Sequence, residues 1–109
     1  MTLAFALRVA YGTCKAANIH VTKQQAVEFG NAGIRVNAID PGPLNTERAK
    51  LAHSVAIRSN QYDAISLNRY GATEEIASAM GFLCSPAASN VNGQALAADG
   101  GFEAAGASW

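Results

Sequence analysis

Apolar and polar positions along the first half of the chain predict one long helix followed by one strand. Residues 10–30 are rich in alanine and unbranched side chains and end at a glycine cluster, which predicts a helix. Residues 34–39 are short, β-branched at several positions and bounded by glycine and proline, which predicts a buried strand. We expect the helix to bury a broad apolar face, made of Cys14, Ala17, Ile19, Val21, Ala26 and Val27.

The pattern of the second half predicts two further helices. Residues 47–58 place their apolar side chains largely on one side of a helix, and residues 59–71 indicate a loop or a short helical turn. Thr73 is a suitable N-cap for the last helix, and Pro86 ends that helix. One face of the last helix is expected to carry Ile76, Ala79, Met80 and Leu83.

A second strand is predicted at residues 94–98, closed by the turn Asp99-Gly100-Gly101. The order strand, helices, strand implies a parallel pair joined by a right-handed crossover, which is an α/β fold with about three helices. Two strands alone make a marginal sheet with unpaired edges. We therefore expect oligomerisation to complete the fold, and residues 103–109 to form a flexible tail.

Composition narrows the possible partners and the compartment. The chain has 109 residues, enough for a single domain (1–109), and its 8 basic and 8 acidic residues are scattered. This balance argues against nucleic acid or an anionic membrane as the main partner. No apolar stretch reaches the roughly 20 residues of a membrane span, and the apolar opening lacks the basic leader of a signal peptide. Cys14 and Cys84 show no metal-ligand spacing, so we expect no metal, reduced and buried thiols, and a cytoplasmic location.

Candidate chemistry lies near the first helix and the end of the first strand. Tyr11 and Lys15 are four residues apart, so on a helix both point to one face. A nearby ammonium favours a phenolate and lowers the pKa of a tyrosine from its usual value of about 10. Such a tyrosine can exchange a proton with an alcohol or carbonyl oxygen. Asp40, just before the Pro41-Gly42 turn, could meet a ligand, but its position favours the alternative that it caps or stabilises the turn.

These features together resemble the short-chain dehydrogenase/reductase family. Its Tyr-x-x-x-Lys motif matches Tyr11-Gly12-Thr13-Cys14-Lys15, and its strand with a Pro-Gly turn matches residues 34–42. Its last helix and strand look like residues 73–86 and 92–101. The resemblance covers roughly residues 10–102 and corresponds to the C-terminal half of the family's usual chain, so a partial Rossmann-like unit is expected.

The resemblance also implies roles for individual residues. Tyr11 would be the catalytic acid/base, and Lys15 would tune its pKa and bind the ribose of the cofactor, which is NAD or NADP. The carboxamide side of the nicotinamide would be lined by Pro41, Gly42, Leu44 and Thr46.

Departures from the family pattern lead us to expect a truncated, inactive chain. Residues 1–10 contain no serine to match the family's catalytic serine, and the family's asparagine-bearing helix has no counterpart. No Gly-x-Gly arrangement is present to hold a pyrophosphate, so this chain is not expected to bind NAD(P) unaided. We expect self-association as a homodimer or higher oligomer. The alternative is an NAD(P)-dependent oxidoreductase that acts on an alcohol or carbonyl substrate through Tyr11 and Lys15.

Overall fold

The structure is a computed structural model that describes residues 9–46 and 62–106. The predicted helix at residues 47–58 lies outside the described residues. Residues 62–64 are helical, and two short 3-10 turns follow the two long helices, at Gly30–Ala32 and Pro86–Ala88. The helices and strands are α1 (Val9–Phe29), β1 (Ala38–Pro41), α2 (Thr73–Cys84) and β2 (Ala95–Ala98).

The two strands form a parallel sheet. The backbone N–H of Ala38 donates to the carbonyl of Gln94 at 2.8 Å, and that of Gly42 donates to the carbonyl of Ala98 at 3.2 Å. Donor and acceptor both advance by four residues in the same direction, which is the register of parallel strands. The α/β fold class with two parallel strands is therefore confirmed, with helical structure at α1, α2 and residues 62–64.

The described residues divide into two compact units. The first unit consists of residues 9–38 and 89–95, and the second of residues 39–46, 62–88 and 96–106. In the first unit, α1 ends at Phe29 and continues into the 3-10 turn Gly30–Ala32, which Gly33 closes in a left-handed conformation with φ of 77°, donating its N–H to the carbonyl of Gly30 at 3.0 Å. The helix thus ends at the glycine cluster, as its composition predicts.

The broad buried face predicted for α1 is wrong. Among its described side chains only Thr22 and Ala26 are buried, at 9% and 3% exposure. Ala26 is buried because residues 91–93 pack there, and a Cβ on Gly93 would lie 3.3 Å from its Cβ. The other positions of the predicted face have no such cover within the first unit, where Ile19 is half-buried and the exposed ones are Cys14, Ala17, Val21 and Val27.

The first strand begins four residues later than predicted. Side-chain amides take the backbone groups of the preceding segment, since Asn92 Oδ1 accepts from the N–H of Val36 at 3.0 Å. In the facing segment before β2, the N–H of Gln94 donates to Asn37 Oδ1 at 3.0 Å. Ile34, predicted to be buried, is 51% exposed. Pro41, predicted to stop the strand, is its last residue.

Aromatic and aliphatic side chains form the core of the second unit. Tyr70 is 6% exposed and meets Tyr62 edge to face, with ring centroids 5.1 Å apart and an interplanar angle of 81°. Of the face predicted for α2, Leu83 is buried and Met80 is 53% exposed. The remaining buried core residues are Ile65, Ala88 and Phe102.

The predicted cap of α2 is displaced by one residue. Ala72 is the N-cap and Thr73 is already helical. The Glu75 side chain accepts a hydrogen bond from the N–H of Ala72 at 2.9 Å. The backbone donor at the N-cap is thus paired although the cap residue has no hydroxyl group. The helix ends at Cys84, followed by Ser85 and Pro86, as the proline predicts.

The predicted burial of both cysteines is wrong, because Cys14 and Cys84 are free and exposed. Cys14 lies on the uncovered side of α1, and Cys84 is the last residue of α2. No helix within the described part of the chain has the length and apolar character that crossing a membrane requires.

Candidate functional site

The predicted site residues are distributed over the two units. Tyr11 and Lys15 belong to the first unit, and Pro41, Gly42, Leu44 and Thr46 belong to the second. Each group is described within its own unit.

The helix α1 sets the spacing of positions 11 and 15. It runs without interruption from Val9 to Phe29, so these two positions are one turn apart, about 6 Å along the axis. Alanine and unbranched residues favour this continuity, and Gly12 sits inside it with no heavy atom of a neighbouring element within 4 Å of its Cβ position. Lys15 is half-buried.

The four predicted residues of the second unit lie on a turn at the end of β1, the Pro41–Thr46 turn. Gly42 is buried, and its N–H donates to the carbonyl of Ala98 on β2. A Cβ on Gly42 would lie 2.6 Å from the Cβ of Asp99, so the turn and the end of β2 are in direct contact. The start of the turn is therefore anchored to β2.

Gly71 holds the other end of the turn. Its N–H donates to the carbonyl of Pro43 at 2.9 Å, and its carbonyl accepts from the N–H of Asn45 at 2.8 Å. Leu44 and Gly71 thus form a parallel bridge. Within the turn, the N–H of Thr46 donates to the carbonyl of Leu44 at 2.9 Å. These bonds tie the turn on both sides.

An ion pair beside Gly71 was missed by the sequence reasoning. Arg69 and Glu75 pair through both nitrogens and both oxygens, at 2.8 and 2.9 Å. The hydrogen bond from Arg69 and a second from the N–H of Ala72 lower the pKa of Glu75 to about 2, and the same pairing raises the pKa of Arg69. A glutamate at the third position of a helix is a capping signal, but nothing local in the sequence marks Arg69 as its partner.

The Asp99 carboxylate organises the turn after β2. Its Oδ1 accepts from the N–H of Gly101 and its Oδ2 from the N–H of Glu103, both at 3.0 Å. Gly100 and Gly101 have φ of 65° and 91°, values that favour glycine. Both oxygens of Asp99 therefore stabilise the turn, in agreement with its interpretation as a structural corner.

A cavity of about 520 Å³ in the second unit lies beside these elements. Arg69, Gly71, Glu75 and Asp99 contribute to its lining, whereas none of the six predicted site residues does. Within residues 9–46 and 62–106, histidine, cysteine, aspartate and glutamate form no group of three or more that could hold a metal ion.

Comparison with known proteins gives consistent matches. The family model described as enoyl-(acyl carrier protein) reductase matches residues 2–103. Peroxisomal 2,4-dienoyl-CoA reductase of Danio rerio is 43% identical over 98 residues, which cover 88% of this chain and 33% of that protein. The chain therefore spans about a third of the length of this curated relative.

Two solved structures have the same fold over most of the chain. A mutant of 4-hydroxyisoleucine dehydrogenase complexed with NADH and succinate is 38% identical, with a TM-score of 0.83 over 87% of this chain and 40% of that chain. A structure from Agrobacterium tumefaciens with bound NADP is 38% identical, with a TM-score of 0.82 over 86% of this chain and 39% of that chain.

Proposed function

The chain belongs to the short-chain dehydrogenase/reductase family, and we propose that it carries the acid/base and nicotinamide-facing elements of such an enzyme. We further propose that the 109 residues have no NAD(P)-dependent turnover on their own and that they self-associate. The observation that carries the proposal is the Pro41–Thr46 turn, which is held on both sides within one unit, by Ala98 and by Gly71.

The Tyr11–Lys15 pair would perform the proton chemistry. Tyr11 would give its proton to the carbonyl oxygen during reduction, or take one from the alcohol during oxidation. The Lys15 ammonium, one helical turn away, would favour the phenolate and so make that proton mobile near neutral pH. A nicotinamide, when bound, supplies or accepts the hydride at the substrate carbon.

Each unit, taken by itself, carries groups that suit part of the nicotinamide half of the cofactor. In the first unit, the Lys15 ammonium would donate to ribose hydroxyls. In the second unit, Pro41 and Leu44 are half-buried and would offer apolar contacts, with the Thr46 hydroxyl as the polar group of the Pro41–Thr46 turn. For the pyrophosphate the 109 residues contain no Gly-x-Gly turn. These groups would therefore support only weak binding of the nicotinamide half of NAD(P).

Exposed apolar side chains support self-association. On α1, Val27 is 83% exposed, and Leu67 of the second unit is 62% exposed. Three of the four residues of β2 are exposed as well. Burial of such area against a second copy would be favourable at roughly 25 cal/mol per Å².

The alternative, an active oxidoreductase acting on an alcohol or carbonyl compound, has one specific observation in its favour. In the Pro41–Thr46 turn, the N–H groups of Gly42, Asn45 and Thr46 are paired within the second unit. These bonds would hold the turn in one arrangement, so its side chains would need no rearrangement to meet a ligand.

Titration with NADH and NADPH, followed by cofactor fluorescence and melting temperature, separates the two proposals. We expect no saturable change up to millimolar cofactor, whereas a ligand at 100 times its dissociation constant would add about 2.7 kcal/mol to the free energy of unfolding. Saturable binding with turnover that Tyr11→Phe abolishes would instead establish the oxidoreductase.

A further inference from the structure

We propose that Arg69 and Glu75 are positioning residues for the Pro41–Thr46 turn and act on it through Gly71. Neither residue belongs to the predicted site, and their side chains bond the peptides on either side of Gly71. The functional half of this inference rests on the proposed assignment of the turn to the nicotinamide. Its structural half stands on the geometry of the second unit alone.

The ion pair forms a bracket around Gly71, meaning that its two side chains hydrogen-bond the peptide groups before and after this glycine. On one side, Arg69 Nη1 donates to the carbonyl of Tyr70 at 3.1 Å. On the other, Glu75 Oε1 accepts from the N–H of Ala72 at 2.9 Å. The two side chains are joined to each other at 2.8 and 2.9 Å, so the peptides before and after Gly71 are fastened to the first turn of α2.

Gly71 lies between those two peptide groups, and both its N–H and its carbonyl form hydrogen bonds with the turn. Its N–H goes to Pro43 and its carbonyl to Asn45. A Cβ on Gly71 would lie only 3.1 Å from Leu44 Cδ2, so the two segments are close-packed as well as hydrogen-bonded. The orientation of the Gly71 peptides therefore sets the position of Pro43 to Asn45.

The bracket needs a donor at position 69 and an acceptor at position 75. An arginine can serve the Tyr70 carbonyl and both Glu75 oxygens at once because its planar guanidinium presents several N–H groups in a fixed fork. The two side chains are 53% and 48% exposed, and exposed ion pairs contribute little to global stability. Loss of the pair should thus loosen the turn locally and leave the rest of the chain folded.

Amide hydrogen exchange by NMR on the full 109-residue chain tests the structural half. The informative variant is the charge swap R69E/E75R, which allows an ion pair but removes both bracketing bonds. A matched control is Glu74→Gln, which removes a carboxylate from the same helical turn. We expect the amides of Asn45 and Gly71 to exchange about tenfold faster in the swap, with the Gly93 amide of the first unit unchanged.

A second measurement tests the functional half, which is the assignment of the turn to the nicotinamide. The probe is reduced nicotinamide mononucleotide, because it needs no pyrophosphate or adenosine site. We expect it to shift the amide signals of Asn45 and Thr46 in the wild type and in Glu74→Gln, and to lose that effect in the charge swap. Unchanged exchange at Asn45 and Gly71 in the swap overturns the inference whatever the probe does. If exchange is faster in the swap but the probe shifts no amide signals in the wild type, the bracket is supported and the assignment of the turn to the nicotinamide is overturned.

Discussion

Gly42 is required at its position by its neighbour on the second strand, and not by an unusual backbone angle. The φ of Gly42 is not positive, so alanine could adopt the same backbone conformation. What excludes a side chain is space, because a Cβ would lie 2.6 Å from Asp99 Cβ and 2.7 Å from Asp99 Cα. Since one of these atoms is backbone, relief requires movement of a strand end.

Gly42→Ala should therefore lower the free energy of unfolding by about 1–3 kcal/mol, the usual cost of an inserted methyl group in a packed site. The matched control is Gly81→Ala in α2, where, among the described residues, no heavy atom outside the local helix backbone lies within 4 Å of the added Cβ. That control should gain about 0.5–1 kcal/mol, because alanine loses less backbone freedom than glycine in a helix. Urea denaturation followed by circular dichroism measures both, and equal effects of the two substitutions would contradict the assigned clash.

At the scale of elements, the start of α2 depends on an ionised carboxylate. Glu75 serves both Arg69 and the N–H of Ala72, and its pKa is lowered from 4.5 to about 2. A carboxyl group with a lowered pKa stabilises the folded state fully above its unfolded value of 4.5, and this contribution is lost as the pH falls towards 2. The acid limb of stability should therefore carry a small signature of this residue, because the Arg69–Glu75 pair is about half exposed and exposed ion pairs contribute little to global stability.

Chain stability measured in urea at pH values from 7 down to 2 should show that signature. Between pH 4.5 and 2, the wild type and Glu74→Gln should lose more stability than Glu75→Gln, which has no proton to take up at this position. The three curves should run parallel above pH 5. A Glu75→Gln curve that falls as steeply as the wild type would show that the carboxylate is not held in its charged form by folding.

The loop 91–93 connects the elements of the first unit through one side chain. Asn92 Nδ2 donates to the carbonyl of Ala26 on α1 at 3.2 Å, while its Oδ1 accepts from the N–H of Val36. Asn92→Ala should cost about 1–2 kcal/mol through the loss of both bonds. Asn90→Ala, which changes the exposed asparagine two residues before Asn92, should change stability by less than about 0.5 kcal/mol. Thermal unfolding of the pair tests this, and similar melting temperatures would argue against the connecting role.

Elements with local signals could be predicted from the sequence, and those set by distant partners could not. The helix predicted at residues 10–30 is found at Val9–Phe29, and the strand predicted at 94–98 is found at Ala95–Ala98, because composition, proline and glycine act locally. The start of β1 was misplaced because Asn92, 56 residues from Val36, takes up the backbone there.

Periodicity likewise identifies an apolar face but does not tell whether anything covers it, so the burial of α1 was overestimated. In the candidate site, positions 41–46 were predicted from a motif. Arg69 and Gly71 were not, since their partners are known only from the fold.

At the scale of the whole molecule, a parallel sheet of two strands is a marginal structure. Each strand pairs with one neighbour within the described residues, so its other edge has no strand beside it there. The chain also spans 40% of a solved relative with which it shares the fold at a TM-score of 0.83. The proposed self-association would cover the exposed apolar side chains of these 109 residues.

If the folded state depends on association, its stability must depend on protein concentration. The melting temperature should rise with each tenfold increase in concentration, since binding of a second copy stabilises the folded state by mass action. Light scattering should then give a mass of at least twice the 11.3 kDa of the chain. Val27→Glu, at the most exposed apolar position of α1, should lower both the mass and the melting temperature at a given concentration, with Gln24→Glu on the same helix as the control for added charge. A cooperative transition at one temperature over a hundredfold range of concentration, with a mass of 11.3 kDa throughout, would show that a single copy folds by itself.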